Sequence, residues 1–267
     1  MTVLAKGKLH TVHTQKRRVD FWVPDNCNAP HPVLVMHDGQ NLFQPQESFG
    51  GKTWQVAEVL SDMPEFAGKL PVVIGPWNSG VTRAAEYAPQ DAIESCGDPF
   101  EFVGAQTSDT LFGNSYQLEL IEEIIPAVAD LVSLSRERKE IAIAGSSMGG
   151  LASLYAIAKY PDKYGTALSL STHFPISSLN FVKTFMSMMP PPESGNRLWL
   201  DHGTTELDAT YAQHHDVAIQ TLHELGYKHP QLESHIYPGT GHNETDWSLR
   251  LKSILQWWLT TATKEGN

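Results

Sequence analysis

The chain has 267 residues, of which 41% are hydrophobic and 18% are charged, and its 19 Lys+Arg and 30 Asp+Glu give a formal net charge of −11 at pH 7. The apolar fraction is sufficient for a folded core and excludes an intrinsically disordered chain. The acidic charge argues against nucleic acid as a partner, because phosphate binding depends on Lys and Arg. The length suits one or two domains, and α/β folds of this size often form one.

Two cysteines, Cys27 and Cys96, lack metal-ligand spacing, which excludes a disulfide framework but leaves a single bridge open. The N-terminal residues contain no apolar run before a cleavage site, and no stretch approaches the roughly 18 consecutive apolar residues of a membrane span. We therefore expect a cytoplasmic protein without a membrane partner. A chain from which a signal had been removed would look the same.

Eight short apolar runs, each bounded by Gly, Pro, Asp or Asn, predict strands. These runs are Leu9–His13, Val19–Val23, Pro32–Met36, Pro71–Ile74, Ile141–Ala144, Ala167–Leu170, Arg197–Leu200 and Ser234–Tyr237. The first two are separated by a basic turn and are predicted to pair antiparallel. From Pro32 onward most strands precede a helical segment, which indicates parallel strands joined by right-handed crossovers.

Six segments have helical character: Thr53–Leu60, Gln117–Val132, Gly150–Tyr160, Ser178–Met188, Ala209–Leu225 and Thr245–Thr261. Apolar residues recur at a spacing of three or four in the second segment, and Pro126 is expected to kink it. The polar stretch Ala88–Asn114 is predicted to be a loop or lid over the carboxyl edge of the sheet. No linker divides the chain, so residues 1–267 are predicted to form a single α/β domain.

The strongest chemical signal is Gly145-Ser146-Ser147-Met148-Gly149, a G-x-S-x-G motif directly after an apolar strand and before a helical segment. That context is typical of a nucleophile elbow, in which a strained turn lifts the central serine hydroxyl above the sheet. An ordinary Gly/Ser-rich turn is the alternative. The motif lacks the Lys-Ser/Thr pair of a phosphate loop and the spacing of a dinucleotide fingerprint. The motif therefore favours Ser147 as a nucleophile.

An elbow serine needs a base. In folds that carry a nucleophile elbow, the acid follows the serine in the chain and the histidine follows the acid. Three of the histidines after Ser147, His214, His215 and His223, fall in an amphipathic helix, and His235 falls within a strand. His242 instead follows a strand and the turn Pro-Gly-Thr-Gly, where a flexible loop could bring an imidazole to the serine. We therefore predict that His242 is the base.

Three carboxylates follow the strand Arg197–Leu200 and compete for the role of triad acid. Asp201 stands at the strand end and could bond backbone groups, while Asp208 fits an N-cap for a helix that begins near Ala209. Glu206 has the longest reach and no evident structural role. We therefore predict Glu206 as the acid.

The oxyanion hole is expected to combine the Met148 N–H with an N–H of Gly39 or Gln40, in the loop after the strand Pro32–Met36. Five residues that follow strand ends or flank the triad are expected to line the substrate cleft, although packing into the core is nearly as plausible an interpretation. They are Trp77, Asn78, Thr172, His173 and Trp247.

Five sequence pieces in order carry a resemblance to a known family: MHDGQNLF at Met36–Phe43, AEYAP at Ala85–Pro89, AGSSMGGLASLYAIAKYPDKYG at Ala144–Gly165, LDHGTTELD at Leu200–Asp208 and GHNETDW at Gly241–Trp247. The sequence resembles the putative-esterase family of α/β-hydrolases, which includes esterase D and the enterochelin, feruloyl and acetylxylan esterases and mycolyltransferases. The resemblance implies an α/β-hydrolase fold with a mostly parallel eight-stranded sheet flanked by helices. It also implies Ser147 as nucleophile, His242 as base and Glu206 as acid.

The expected function is hydrolysis of a small-molecule carboxylic ester through an acyl-enzyme on Ser147. No metal or organic cofactor is expected. Two alternatives stay open: acyl transfer on the same site to an alcohol or sugar, and a non-catalytic binding protein on a hydrolase scaffold.

Overall fold

The computed structural model describes residues 1–97 and 111–262. These residues group into two compact units: one contains Met1–Asn78, Leu120–Ile143 and the residues from Asn243 onward, and the other contains Ser79–Glu119 and Ala144–His242. A single domain over residues 1–267 stays a prediction. Within the described ranges, every helix is too short or too polar to cross a lipid bilayer.

The strands, in chain order, are β1 (Thr2–Leu4), β2 (Gly7–His13), β3 (Arg18–Pro24), β4 (Val33–Met36), β5 (Val72–Pro76), β6 (Ile141–Ser146), β7 (Thr166–Leu170), β8 (Arg197–Gly203) and β9 (Leu232–Tyr237). In the first unit the order is β1-β2-β3-β5-β4, followed by residues 141–143 of β6. Pairing is antiparallel from β1 to β5 and parallel between β5 and β4. The antiparallel pairing predicted for the first two apolar runs is therefore confirmed.

In the second unit the order is β6-β7-β8-β9, with β6 represented by residues 144–146. The pairs β7–β8 and β8–β9 are parallel, so their carboxyl ends lie at the same edge. Every residue of β7 and β8 is buried, as expected for parallel strands that are covered on both faces. The edge strand β9 alternates between more and less exposed side chains.

The described residues form nine strands rather than the predicted eight. The additional strand is β1, which has three residues with mostly exposed side chains. It therefore carries no apolar alternation, and its register comes from pairing with β2. A sequence pattern based on burial could not detect it.

The α-helices are α1 (Val56–Ser61), α2 (Arg83–Tyr87), α3 (Gln90–Cys96), α4 (Gly113–Glu119), α5 (Ile125–Ala129), α6 (Met148–Lys159), α7 (Leu179–Met186), α8 (Ala212–Glu224) and α9 (Glu244–Ala262). In the second unit, α6 packs on β7 and α7 packs on α8. In the first unit, α9 packs on α1. Strands and helices both contribute buried apolar side chains, which are the hydrophobic basis of the fold.

The segment predicted as one helix, Gln117–Val132, contains the end of α4, a π-helical turn at Leu120–Ile124, and α5, and it extends beyond the end of α5. Pro126 has no backbone N–H to donate, so the regular bonding pattern is interrupted in the turn before it. Of the predicted lid, Ala88–Asn114, the described part contains α3 and the start of α4. Residues 98–110 lie outside the described residues, and the lid stays a prediction.

Candidate active site

Ser147 forms the turn between β6 and α6, in the strand–turn–helix context that the motif predicts. Its φ of 56° and ψ of −124° are a strained backbone conformation for a residue with a side chain. A Cβ on Gly145 would lie 2.7 Å from the carbonyl carbon of Gly149. The backbone at Gly145 thus passes so close to the backbone at Gly149 that the first position of the motif has no room for a side chain.

Backbone hydrogen bonds tie Ser147 to the residues that follow β7. Its N–H donates to the Leu170 carbonyl (3.0 Å), and its carbonyl accepts from the His173 N–H (3.1 Å). Gly150 also has no room for a side chain, because a Cβ there would lie 2.6 Å from Ser169 Oγ. These contacts hold the serine at the carboxyl edge of the strands, with its side chain partly exposed.

The loop that carries His242 is clamped against the end of β8. The N–H groups of Thr204 and Thr205 both donate to the Thr240 carbonyl, at 2.9 and 3.1 Å. Gly203 permits this approach, because a Cβ there would lie 2.2 Å from the same carbonyl oxygen. The imidazole is thereby held at the same edge as Ser147.

Asp208 is the carboxylate that contacts the His242 ring. Its Oδ1 lies 2.6 Å from His242 Nδ1, and its Oδ2 accepts hydrogen bonds from Ser171 Oγ (2.5 Å) and the Gly203 N–H (2.6 Å). The side chain is completely buried. Burial by itself raises the pKa of Asp208, but the hydrogen bonds from His242, Ser171 and Gly203 outweigh it and hold the pKa below its ordinary value. Asp208 is therefore ionised and oriented toward the imidazole.

The structure does not bring the predicted acid, Glu206, to the His242 ring. Glu206 is exposed, has a φ of 53°, and accepts a hydrogen bond from the His242 backbone N–H at 2.9 Å. Its carboxylate lies over Gly241, where a Cβ would be 2.4 Å from Oε2. The choice of Glu206 is therefore corrected to Asp208 as the partner of the imidazole.

The physical reason for the correction is the turn that precedes α8. The helix begins at Ala212 rather than near Ala209, and residues Glu206–Thr210 form a 3₁₀ turn that directs Asp208 inward and Glu206 outward. Asp208 consequently does not cap α8 with its side chain. The Asp201 carboxylate accepts hydrogen bonds from the Ser171 N–H and the Trp199 indole N–H, in keeping with the structural role expected for it.

Two further side chains, Tyr211 and His173, lie close to Ser147. The Tyr211 hydroxyl is hydrogen-bonded to the side chain of Ser147 and to His173 Nδ1. The centroids of the Tyr211 and His242 rings are 5.6 Å apart, and the rings are in an edge-on arrangement. His173 was predicted to line the cleft, whereas Tyr211 was missed because it resembles any aromatic residue at the start of a helix.

The predicted oxyanion donors occupy different units. Met148 is the first residue of α6, so its N–H belongs to the positive end of that helix. Gly39 and Gln40 lie in a 3₁₀ turn of the first unit, where Asn78 Nδ2 donates to Asp38 Oδ1 at 2.6 Å. The Asn78 N–H also donates to Gln40 Oε1 at 3.3 Å. Asn78 thus supports this turn, and the oxyanion roles stay predictions.

The remaining predicted cleft residues have partners within the fold. The Trp77 indole N–H donates to Asp20 Oδ2 at 2.8 Å. The rings of Trp247 and Trp54 stack with their centroids 5.4 Å apart. The Thr172 hydroxyl is hydrogen-bonded to the Ser169 hydroxyl. Thr172 and Trp247 are buried, which favours the core-packing interpretation for both. A role for these residues in substrate binding stays a prediction.

Comparison with known proteins identifies relatives along almost the whole chain. A family model described as Putative esterase matches residues 11–264. The chain is 26% identical over 261 residues to the uncharacterized protein YbbA of Bacillus subtilis (strain 168), covering 94% of this chain and 96% of that protein. It is 25% identical over 251 residues to the iron(III) enterobactin esterase of Dickeya dadantii (strain 3937), covering 87% of this chain and 48% of the enzyme.

Solved structures with the same fold include the enterobactin esterase FES from Shigella flexneri, with a TM-score of 0.68 and 19% identity over 95% of this chain and 59% of that one. The enterobactin and salmochelin hydrolase IroE has a TM-score of 0.65 and 15% identity, over 99% of this chain and 98% of its own. The chain thus spans about half of the D. dadantii enzyme but nearly all of IroE. Because the family model covers residues 11–264, this chain belongs to the family described as Putative esterase, and it is a carboxylic ester hydrolase of the α/β-hydrolase fold.

Proposed function

We propose that this chain hydrolyses esters through an acyl-enzyme on Ser147, with His242 as base and Asp208 as the triad acid. The observation that carries the proposal is the buried Asp208 carboxylate on His242 Nδ1, in the same unit as the strained elbow serine. A serine, an acid and a histidine in this chain order are typical of the α/β-hydrolase triad. Glu206 has no part in the proposed proton transfer.

The tautomer of His242 follows from its partner. Asp208 is ionised and can only accept, so His242 donates its Nδ1–H and presents Nε2 as the basic nitrogen. Nε2 takes the Ser147 proton as Oγ attacks the ester carbonyl carbon. The imidazolium that forms is stabilised by Asp208, which keeps its own charge.

The negative charge that develops on the carbonyl oxygen needs donors already in place. The Met148 N–H, at the N-terminus of α6, is the proposed donor. The imidazolium then protonates the departing alcohol. Water, activated by Nε2, attacks the acyl-enzyme and releases the carboxylic acid.

The relatives guide the choice of substrates to test. Several are named for enterobactin hydrolysis and another is a ferulic acid esterase, so a small-molecule ester is the proposed substrate class. A panel of nitrophenyl esters of graded chain length, feruloyl esters, acetylated sugars and a trilactone would rank them by kcat/KM. Adding alcohol or sugar acceptors to the same assays, and looking for new ester products, separates hydrolysis from acyl transfer.

The decisive experiment is covalent labelling with a fluorophosphonate. Ser147→Ala should abolish both labelling and hydrolysis, whereas Ser146→Ala should retain them, because Ser146 is buried at the end of β6. Melting temperatures would show that both variants are folded. Labelling at Ser146, or a Ser147→Ala protein that still turns over, contradicts the proposal.

A further inference from the structure

Tyr211 places a buried phenol beside the proposed nucleophile. Its side chain is 1% exposed, and its hydroxyl is hydrogen-bonded to the side chain of Ser147. The residue immediately precedes α8 and its N–H donates to the Asp208 carbonyl at 3.0 Å. The same 3₁₀ turn therefore positions both the triad acid and this hydroxyl. A serine-histidine-acid mechanism alone does not require the phenol.

His173 is the second partner of that hydroxyl. Its Nδ1 is hydrogen-bonded to Tyr211, its backbone N–H donates to the Ser147 carbonyl, and its side chain is 7% exposed. Burial, reinforced by the nearby His242 and Arg83, lowers the pKa of His173 to about 4. The ring is therefore neutral at physiological pH, and its Nδ1 is either a donor or an acceptor according to the tautomer.

The direction of the two hydrogen bonds decides what the phenol does. A phenol has one hydrogen to donate, and Ser147 must pass its own hydrogen to His242 for attack. If Tyr211 donated to His173, it would accept from Ser147 and hold the serine proton away from His242. If His173 donates from Nδ1, Tyr211 can donate to Ser147 Oγ and leave the serine proton directed to the base.

We propose that Tyr211 is a catalytic residue that donates a hydrogen bond to Ser147 Oγ, and that His173 is the positioning residue that donates from Nδ1 to the Tyr211 oxygen. This inference rests on the proposed function, because it assigns a role at the same serine. Burial and the neighbouring Asp208 raise the pKa of Tyr211, so the phenol stays protonated and available as a donor. The tyrosine transfers no proton at any step.

The hydrogen bond acts whenever charge develops on Oγ. During acylation the Ser147 proton moves to His242 Nε2, Oγ bonds to the carbonyl carbon, and the carbonyl π electrons move to oxygen. During deacylation the bond from Oγ to the acyl carbon breaks, and the imidazolium returns a proton to Oγ. Donation from Tyr211 stabilises the partial negative charge in both directions, since a hydrogen bond to a charged acceptor is stronger than one to a neutral group.

The test is Tyr211→Phe, with Tyr227→Phe as the matched control. Tyr227 is equally buried and donates to the Pro190 carbonyl at 2.8 Å, so both variants remove one buried phenol hydroxyl. Tyr211→Phe should lower kcat and the rate of fluorophosphonate labelling by about 10- to 100-fold, with KM within about twofold. Tyr227→Phe should affect the melting temperature but not labelling.

A double-mutant cycle tests the role of His173. His173→Phe should slow labelling nearly as much as Tyr211→Phe, and the double variant should be little slower than either, because His173 acts through the phenol. His173→Asn, which retains a side-chain N–H, should restore most of the rate. Additive losses in the double variant contradict the positioning role.

The outcomes separate this inference from the proposed function. Unchanged or faster labelling in a folded Tyr211→Phe protein overturns the inference, and faster labelling would identify the opposite direction of hydrogen bonding. That result leaves the acyl-enzyme intact, provided that Ser147→Ala is inactive. Activity retained in Ser147→Ala would overturn the proposed function itself.

Discussion

The Asp208 carboxylate and the His242 imidazole face each other at 2.6 Å, from Oδ1 to Nδ1, although the residues are 34 positions apart in the chain. Asp208 can hold this position because its other oxygen is bound by Ser171 and by the Gly203 N–H. The carboxylate is thus fixed by groups from the ends of two neighbouring strands, β7 and β8. Its orientation depends on these strand ends as well as on the 3₁₀ turn in which it lies.

The first prediction concerns the identity of the acid. Asp208→Asn should lower kcat on an activated ester by ~10²–10⁴-fold, because the amide no longer stabilises the imidazolium or enforces the required tautomer. Glu206→Gln should stay within about threefold of the wild type, since the amide oxygen can still accept from the His242 N–H. Measuring kcat and melting temperature for both variants checks this. A larger loss in Glu206→Gln would return the role to Glu206.

The second prediction concerns the support beneath Asp208. Ser171→Ala removes one of the two hydrogen bonds to Oδ2 and leaves the Gly203 N–H in place. We expect kcat to fall by about 3- to 10-fold, the effect of a single hydrogen bond, and thus less than in Asp208→Asn. Steady-state kinetics on the same ester provide the comparison. A loss as large as that of Asp208→Asn would show that Ser171 does more than hold the carboxylate.

The third prediction contrasts two glycines in the clamp of the His242 loop. In Gly203→Ala the new Cβ would meet the Thr240 backbone oxygen at 2.2 Å, so the loop must move, and we expect a stability loss of about 1–3 kcal/mol with reduced kcat. In Gly241→Ala the Cβ meets the exposed Glu206 carboxylate, which can rotate away, so we expect a smaller loss of stability and kcat than in Gly203→Ala.

Repeating both substitutions in a Glu206→Ala protein tests whether each effect arises from the contact assigned to it. The effect of Gly241→Ala should disappear when Glu206 is also changed to Ala, whereas the effect of Gly203→Ala should persist. Thermal unfolding and kcat of both glycine variants in each background, with the wild type and Glu206→Ala as references, provide the measurement. A Gly203→Ala protein with wild-type stability and activity would show that the loop is not held by the close approach to Thr240.

The fourth prediction concerns stability in acid. Burial, with a smaller contribution from His202, lowers the pKa of His215 to about 3, and its Nε2 lies 2.8 Å from Ser234 Oγ. Below the ordinary pKa of 6.5 the unfolded chain therefore binds a proton that the folded protein does not. His215 should reduce stability progressively as the pH falls from about 6.5 toward 3.

The corresponding variant is His215→Gln. Its melting temperature should fall less than that of the wild type between pH 7.5 and pH 4.5, whatever its stability at neutral pH. His223→Gln is the control, because that histidine lies on the same helix but is exposed. An equal fall in His215→Gln and the wild type would mean that His215 takes up a proton in the folded protein.

The sequence alone was sufficient for the local parts of the site. The turn at Ser147 is built by residues within a few positions of one another, because Gly145 must approach Gly149 and a helix must begin at Met148. The Gly-containing loop before His242 is also recognisable from its local sequence, although the end of β8 fixes its position. Strand and helix patterns also predicted the α/β class, since alternating buried strands and amphipathic helices have few other ways to cover both faces of a sheet.

Tertiary structure decided which carboxylate meets the imidazole. Glu206 and Asp208 are two residues apart, and the 3₁₀ turn that contains both leaves one exposed and buries the other. Which of them turns inward depends on Ser171 and Gly203, at the ends of two strands, and no local pattern encodes that pairing. The Tyr211–His173 contact joins residues 38 positions apart for the same reason. Local sequence thus determined the turn at Ser147, while the packing of neighbouring strands determined the hydrogen bonds that surround it.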